Sequence, residues 1–281
     1  MKKSARLLVL VIASGSLLLT TGCTKLRARD QLNRGVQAYK SAHYEEAVDH
    51  FQKAVELDPN LSVAKLYLAT AYQQQFTPNL QSEDNLKIGQ QAIDEYQRVL
   101  QDDPGNKQTS VQSLKGIASV YFSMGKLEQA RDYQKKVLSL DPNDPEAYYT
   151  VGVIDWKISY INSTKAHAAA GQQNHEEAAF KDKSACDALK QVNQPIVDDG
   201  MDALQKAINL RTDYDDAMAY LNLLYRRKAD IECDSPDARA ADLKQADDWS
   251  AKTMEVKKIR AEKEAASKGG GIVLDDQNQI H

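Results

Sequence analysis

Five histidines, His43, His50, His167, His175 and His281, are the side chains best suited to proton transfer or metal ligation. No pair of them forms the His-Glu-x-x-His helix face or another metal-ligand spacing. His167 and His175 flank an alanine-rich stretch, the one place where an enzyme reading would have to put a metal. Adjacent acids occur at Asp102-Asp103, Asp198-Asp199, Asp215-Asp216 and Asp247-Asp248. They fall at helix ends or on helix faces, where a carboxylate serves as a solvated cap, and Asp215-Asp216 suits a positive helix start. No G-x-S-x-G elbow, phosphate loop or dinucleotide fingerprint appears. The expectation is no catalytic residue, no metal, no cofactor and no small-molecule substrate.

The cysteines say more. Lys2, Lys3 and Arg6 precede an apolar run, Leu7 to Leu19, too short to span a bilayer comfortably, and Thr20-Thr21-Gly22-Cys23 follows. This resembles a bacterial lipoprotein signal, which implies lipidation at Cys23 after removal of residues 1–22. Thr20 stands where that signal usually has leucine, and an ordinary secretory signal is the alternative. Cys186 and Cys233 are left. An oxidising compartment would let them pair; otherwise they are two buried thiols.

The elements that hold these residues are helices. The 281 residues are 42% hydrophobic and 27% charged, with only seven prolines and four phenylalanines. The abundance of Ala, Leu, Gln, Lys and Glu favours helix over sheet. A net charge of −4 argues against a nucleic-acid partner. From Ala28 to Asn60 the spacing predicts two amphipathic helices around a turn at Ser41-Ala42-His43. Apolar or small residues fall at Leu32, Gly35, Val36 and Tyr39, then at Ala47, Val48, Phe51, Ala54, Val55 and Leu57. Asp58-Pro59 ends the second helix, because the residue before proline is driven out of the α region. One hairpin cannot bury its own apolar face, so copies must stack.

Copies follow. VAKLYLATAYQQQ and NLKIGQQAIDEYQRVLQDDP make a second hairpin. SVQSLKGIASVYFSMGKLEQARDYQKKVLSLDP makes a third, turning at Gly125 and stopping at Asp141-Pro142. A fourth opens at Pro145 and a fifth at Asp215. These segments resemble tetratricopeptide repeats, helix-turn-helix units of about 34 residues. The family's small residue on the first helix matches Gly35, Ala69, Ala118 and Gly152. Its aromatic matches Tyr72, Tyr121 and Tyr225, and is displaced to Tyr39 and Trp156. The small residue of the second helix matches Ala47, Ala92 and Ala130, becoming Gly200 in the fourth repeat. The closing proline matches Pro59, Pro104 and Pro142, becoming Thr212.

The resemblance implies an all-α, right-handed solenoid. Its expected parts are a leader at 1–22, a tether at 23–27, the solenoid at 28–267 and a disordered tail at 268–281. Repeats are expected at about 28–61, 62–106, 111–144, 145–214 and 215–267. The fourth carries an insertion at 158–197, read as one or two helices that lengthen the hairpin or lie across a face. The fifth includes a closing helix from Ser235-Pro236-Asp237, with an apolar stripe at Leu243, Ala246, Trp249, Val256 and Ile259.

In this family the first helices line a concave groove where partner proteins or peptides bind. Carried over, the contact residues would be Tyr39, Lys40, Phe122, Tyr149, Trp156, Lys157, Arg226 and Arg227, with Leu32, Val36, Leu66, Thr70, Gln73, Gln74, Lys115, Ser119, Val153 and Leu223 beside them. The implied function is a non-enzymatic scaffold on the bacterial cell envelope, held in the membrane by lipid and binding envelope proteins or peptides. Thr24 after Cys23 points to the outer membrane, facing the periplasm, by analogy with lipoprotein sorting. The alternative is a repeat lipoprotein of outer-membrane, pilus or exopolysaccharide assembly or secretion. The other readings are an enzyme using the insertion and a self-assembler built on the last helix.

Overall fold

A computed structural model describes residues 23–172 and 179–268. The expected leader at 1–22, His175, His281 and the tail from residue 269 lie outside the described residues. Among the described residues the regular structure is entirely helical. The chain divides after Leu140 into two units.

The first unit holds α1 (residues 23–40), α2 (Tyr44–Leu57), α3 (Ser62–Gln75), α4 (Glu83–Asp102), α5 (Lys107–Ser123) and α6 (Leu127–Leu140). From α2 onward each helix packs on the next, and α3 also meets α5. Local chemistry sets the boundaries. Ala42 at φ 60° and Gly125 at φ +74° turn the chain within two hairpins. The side chains of Ser82 and Asn106 accept the backbone N–H of Asn85 and Thr109, capping α4 and α5. Residues 23–27, expected as a tether, are helical and form the start of α1. Ala28 is already fully buried.

Small residues fix the helix spacing. The Gly35 Cα lies against the Phe51 ring, and a Cβ there would sit 2.5 Å from it. Gly116 of α5 meets the Tyr96 ring of α4 in the same way, at 2.3 Å. The core that results joins Phe51, Leu68, Tyr72, Ile93, Tyr96, Ile117 and Val120 across three hairpins. Aromatics fill the gaps that the small residues leave.

The second unit holds α7 (Pro145–Ala169), α8 (Lys183–Leu210), α9 (Asp215–Asp230) and α10 (Pro236–Lys268). Asp144 caps α7 by accepting the Ala147 N–H at 3.0 Å, with Pro145 in the first turn. Ser235 caps α10 through the Ala238 N–H. A Cβ at Gly152 would sit 2.3 Å from Leu204, so α7 and α8 approach closely. The insertion at 158–197 lengthens both arms of this hairpin: α7 runs on to Ala169, and α8 starts at Lys183. Pro195 sits within α8 on its exposed side and removes one N–H from the helix ladder there.

Along the lengthened part the interior turns polar. Ser159, Ser163 and Asn193 are fully buried. Asn193 Nδ2 donates to the Ser159 carbonyl at 2.9 Å, and Asn162 Nδ2 donates to Asn193 Oδ1 at 2.9 Å. A disulfide joins Cys186, near the start of α8, to Cys233 in the α9–α10 turn, with Cα atoms 5.7 Å apart. Of the expected stripe on α10, Ala246 is buried and Trp249 and Val256 pack on the core. Ile259 is instead 44% exposed.

Candidate interaction surfaces

In the first unit α1, α3 and α5 are the first helices of their hairpins. Between α3, α4 and α5 lies a cleft of about 510 Å³, lined by Val63, Leu66, Tyr67, Thr70, Tyr96, Gln108, Thr109 and Gln112. Its floor is apolar because Tyr67 stacks on Phe51, with centroids 5.4 Å apart. Its polar walls are the amides of Gln108 and Gln112 and the hydroxyls of Thr70, Tyr96 and Thr109, and Tyr96 leads on into a chain of hydrogen bonds beyond the lining. The Tyr96 hydroxyl donates to Gln73 Oε1 at 2.7 Å, and Gln73 Nε2 donates to Ser119 Oγ at 3.1 Å. Thr70 Oγ1 lies 3.3 Å from the same Tyr96 hydroxyl and donates to the Leu66 carbonyl at 2.8 Å. Burial pushes the Tyr96 phenol up to about 12, with the Thr70 contact opposing, so it stays a neutral donor at physiological pH. Amides carry both donors and acceptors, which suits an extended main chain better than a charged metabolite.

Tyr39 is half-buried, edge-on to Tyr44 at 5.4 Å. Lys40 is exposed, and Phe122 is half-buried at the end of α5. Leu32, Val36 and Leu66 are packed against the core. A second cleft, of about 560 Å³, borders the α1–α2 turn at His43, Tyr44, Glu46, Gln75 and Ile88. Beside it Glu46 lies 3.7 Å from His43 and 3.8 Å from His50. His50 Nδ1 is 2.7 Å from Gln31 Oε1, so this ring is held by a neutral amide. No group of three ligating side chains that could hold a metal is found among the described residues.

In the second unit the rings form a continuous row. Tyr214 meets Tyr149 at 5.1 Å, Tyr149 meets Tyr220 at 5.7 Å, Tyr220 meets Trp156 at 5.2 Å, and Trp156 meets Tyr160 at 5.6 Å. Guanidinium groups close both ends: Arg211 lies over Tyr214 at 4.1 Å and Arg227 over Tyr160 at 5.5 Å. All but Tyr214 stay partly exposed. Tyr149 and Trp156 were expected here, and Lys157 is half-buried beside them. Tyr160, Tyr214 and Tyr220 were not expected. The spacing of Tyr149, Trp156 and Tyr160, seven and then four residues, was the available signal.

The two arginines differ. Arg226 bonds Asn222 and Asp247, at 3.0 and 2.9 Å, and keeps partial exposure. Arg227 does not belong to a binding surface: its side chain is 7% exposed and pairs with Asp230 at 2.8 Å. One residue along a helix turns a side chain by about 100°, enough to move it from the open face to the interior. Ser163 Oγ donates to Asp230 at 2.6 Å, and Arg227 Nη1 lies 3.2 Å from the same Oγ. Burial pushes the Asp230 carboxyl up, against the pull of Arg227 and Ser163. His167 stacks on Phe180 at 3.9 Å near this layer.

Comparison with known proteins agrees with this architecture. Residues 28–61 and 112–144 match tetratricopeptide-repeat families. Two stretches of the chain are thus similar to tetratricopeptide repeats, and the fold is of the all-α repeat class. It is similar to a Schizosaccharomyces pombe DnaJ homolog subfamily C member 7 homolog, 32% identical over 110 residues. That match covers 38% of this chain and 23% of the relative. It is also similar to mouse sperm-associated antigen 1, 29% identical over 128 residues, covering 46% of this chain and 12% of the relative. The chain thus spans under a quarter of the curated relatives it matches. Among solved structures, MamA from Desulfovibrio magneticus RS-1 matches with a TM-score of 0.53 at 17% identity, over 83% of this chain and 96% of that one. That likeness concerns the fold.

Proposed function

We propose that this protein is a non-enzymatic scaffold that binds extended segments of partner proteins on the faces of its first helices. The observation that carries the reading is the cleft between α3 and α5, with an apolar floor under amide and hydroxyl walls. Such a surface offers main-chain hydrogen bonds and no nucleophile–base pair. Tyr39, Lys40 and Phe122 extend it in the first unit. Tyr149, Trp156, Lys157 and Arg226 supply a separate aromatic and cationic surface in the second. Tyr, Trp and Arg are the residue types most often found as interface hot spots. We further propose that the chain is lipid-anchored at Cys23 in a bacterial envelope, facing the periplasm from the outer membrane. The short apolar leader supports this, and so does the Cys186–Cys233 bond, which fits an oxidising compartment.

Photo-crosslinking in the native envelope tests the scaffold reading. A benzophenone residue in place of Gln112 should capture a defined protein, and one in place of Lys53 on α2 should not. Equal capture at both positions, or none at Gln112, would sink the cleft as a binding site.

A further inference from the structure

We propose that the first two turns of α1 are a second membrane contact, an interfacial patch for anionic phospholipid. The inference rests on the reading that residues 1–22 bring this end of the chain to a membrane. Residue 23 is already helical, so Cys23 and Leu26 stand three residues apart and share a face. Leu26 is 71% exposed, the most exposed large apolar side chain described. Ala28, fully buried, and Leu32, packed on the core, point the other way.

Cations surround Leu26. Lys25 and Arg29, four residues apart, lie on one side of it and Arg27 on the other, and all three are exposed. Asp30, the acid of these turns, is held by Arg34 at 3.0 Å. An exposed apolar residue within a ring of cations is the pattern of a helix lying in a lipid interface. A charged surface of opposite sign is the occupant this patch fits, and the apolar stretch Leu7–Leu19 leads directly into it. A polybasic patch beside a lipid anchor adds electrostatic attraction to anionic lipid. Three cations close to an anionic surface are worth roughly 100-fold in partitioning.

The test uses the full chain carrying Leu26→Cys, labelled with an environment-sensitive fluorophore and placed on vesicles. With Cys186 and Cys233 bonded and Cys23 replaced by Ser in the labelled chain, the introduced thiol is the one left to take the label. The expected result is a shift to an apolar environment on phosphatidylcholine–phosphatidylglycerol vesicles and none on pure phosphatidylcholine. The shift should vanish in about 1 M salt, where screening acts within ~3 Å. Lys25→Gln combined with Arg27→Gln and Arg29→Gln should cut the shielded-to-exposed ratio roughly 100-fold, with helix content unchanged. Identical emission on both vesicles, or no change in the triple variant, overturns the proposal. Labelling of the unmodified chain at Cys23 would overturn the lipid anchor alone, and the vesicle shift then decides the patch by itself.

Discussion

Arg227 and Asp230 form a buried ion pair, 2.8 Å apart, that Ser163 completes from α7. Removing one member of such a pair leaves an uncompensated charge and costs about 3–5 kcal/mol. Arg227→Ala should therefore lower stability by about that amount in urea unfolding, whereas Arg226→Ala should stay within about 1 kcal/mol. Equal effects would contradict the division of roles.

The same variant has a pH signature. The Asp230 carboxyl is already held above its usual range, and loss of Arg227 raises it further. A carboxyl whose pKa is higher folded than unfolded favours the fold in its protonated form. Its contribution is present below the unfolded value, about 4, and is lost as pH rises through the folded value. The deficit of Arg227→Ala should shrink on going from pH 7 toward pH 4. A constant deficit across that range would argue against an ionised Asp230 as its cause.

Helix spacing gives a second contrast. A Cβ at Gly152 would meet Leu204 at 2.3 Å, while one at Gly105 would meet nothing within 4 Å. Gly152→Ala should cost about 1–3 kcal/mol through overpacking, and Gly105→Ala should cost little. Thermal melts of the two variants decide it.

Much of the first unit was legible because its second and third hairpins keep the spacing of small residue, aromatic and closing proline, and the first departs from it only at Tyr39. Gly35 against Phe51 is that pattern made physical. The second unit was less legible because lengthened helices carry no marker of which residue faces inward. Arg226 and Arg227 are adjacent, and sequence alone does not show which one turns inside. The buried row of Ser159, Ser163 and Asn193 reads as ordinary solvated helix until its partners are placed. Of the first cleft, Leu66 and Thr70 follow from repeat position, but Tyr96 does not, because it reaches across from a second helix.

Reduction should act unevenly. Cys186 and Cys233 close a span of 47 residues, worth roughly 4 kcal/mol in restricted unfolded chain. Cys186→Ser should lower the melting of α8–α10 and leave α1–α6 unchanged, read by hydrogen exchange. Equal loss of protection in both units would contradict a local staple.

Phenol titration should separate buried from open rings. Burial raises both Tyr96 and Tyr149 to about 12. Their neutral forms favour the fold, so this stability is full below about pH 10 and is lost as pH rises through about 12. Absorbance at the phenolate band should show these rings ionising late and together with unfolding. Early, reversible titration of all tyrosines would contradict their burial.

The cleft beside Tyr96 has walls from α3 and α5, which belong to successive hairpins. In a stack where each hairpin leans on its neighbours, opening from one end proceeds by degrees. A bound segment would act as a splint across that joint. It would make the two hairpins open as one, so that occupancy of α3 slows the exchange of amides on α5 that it never touches.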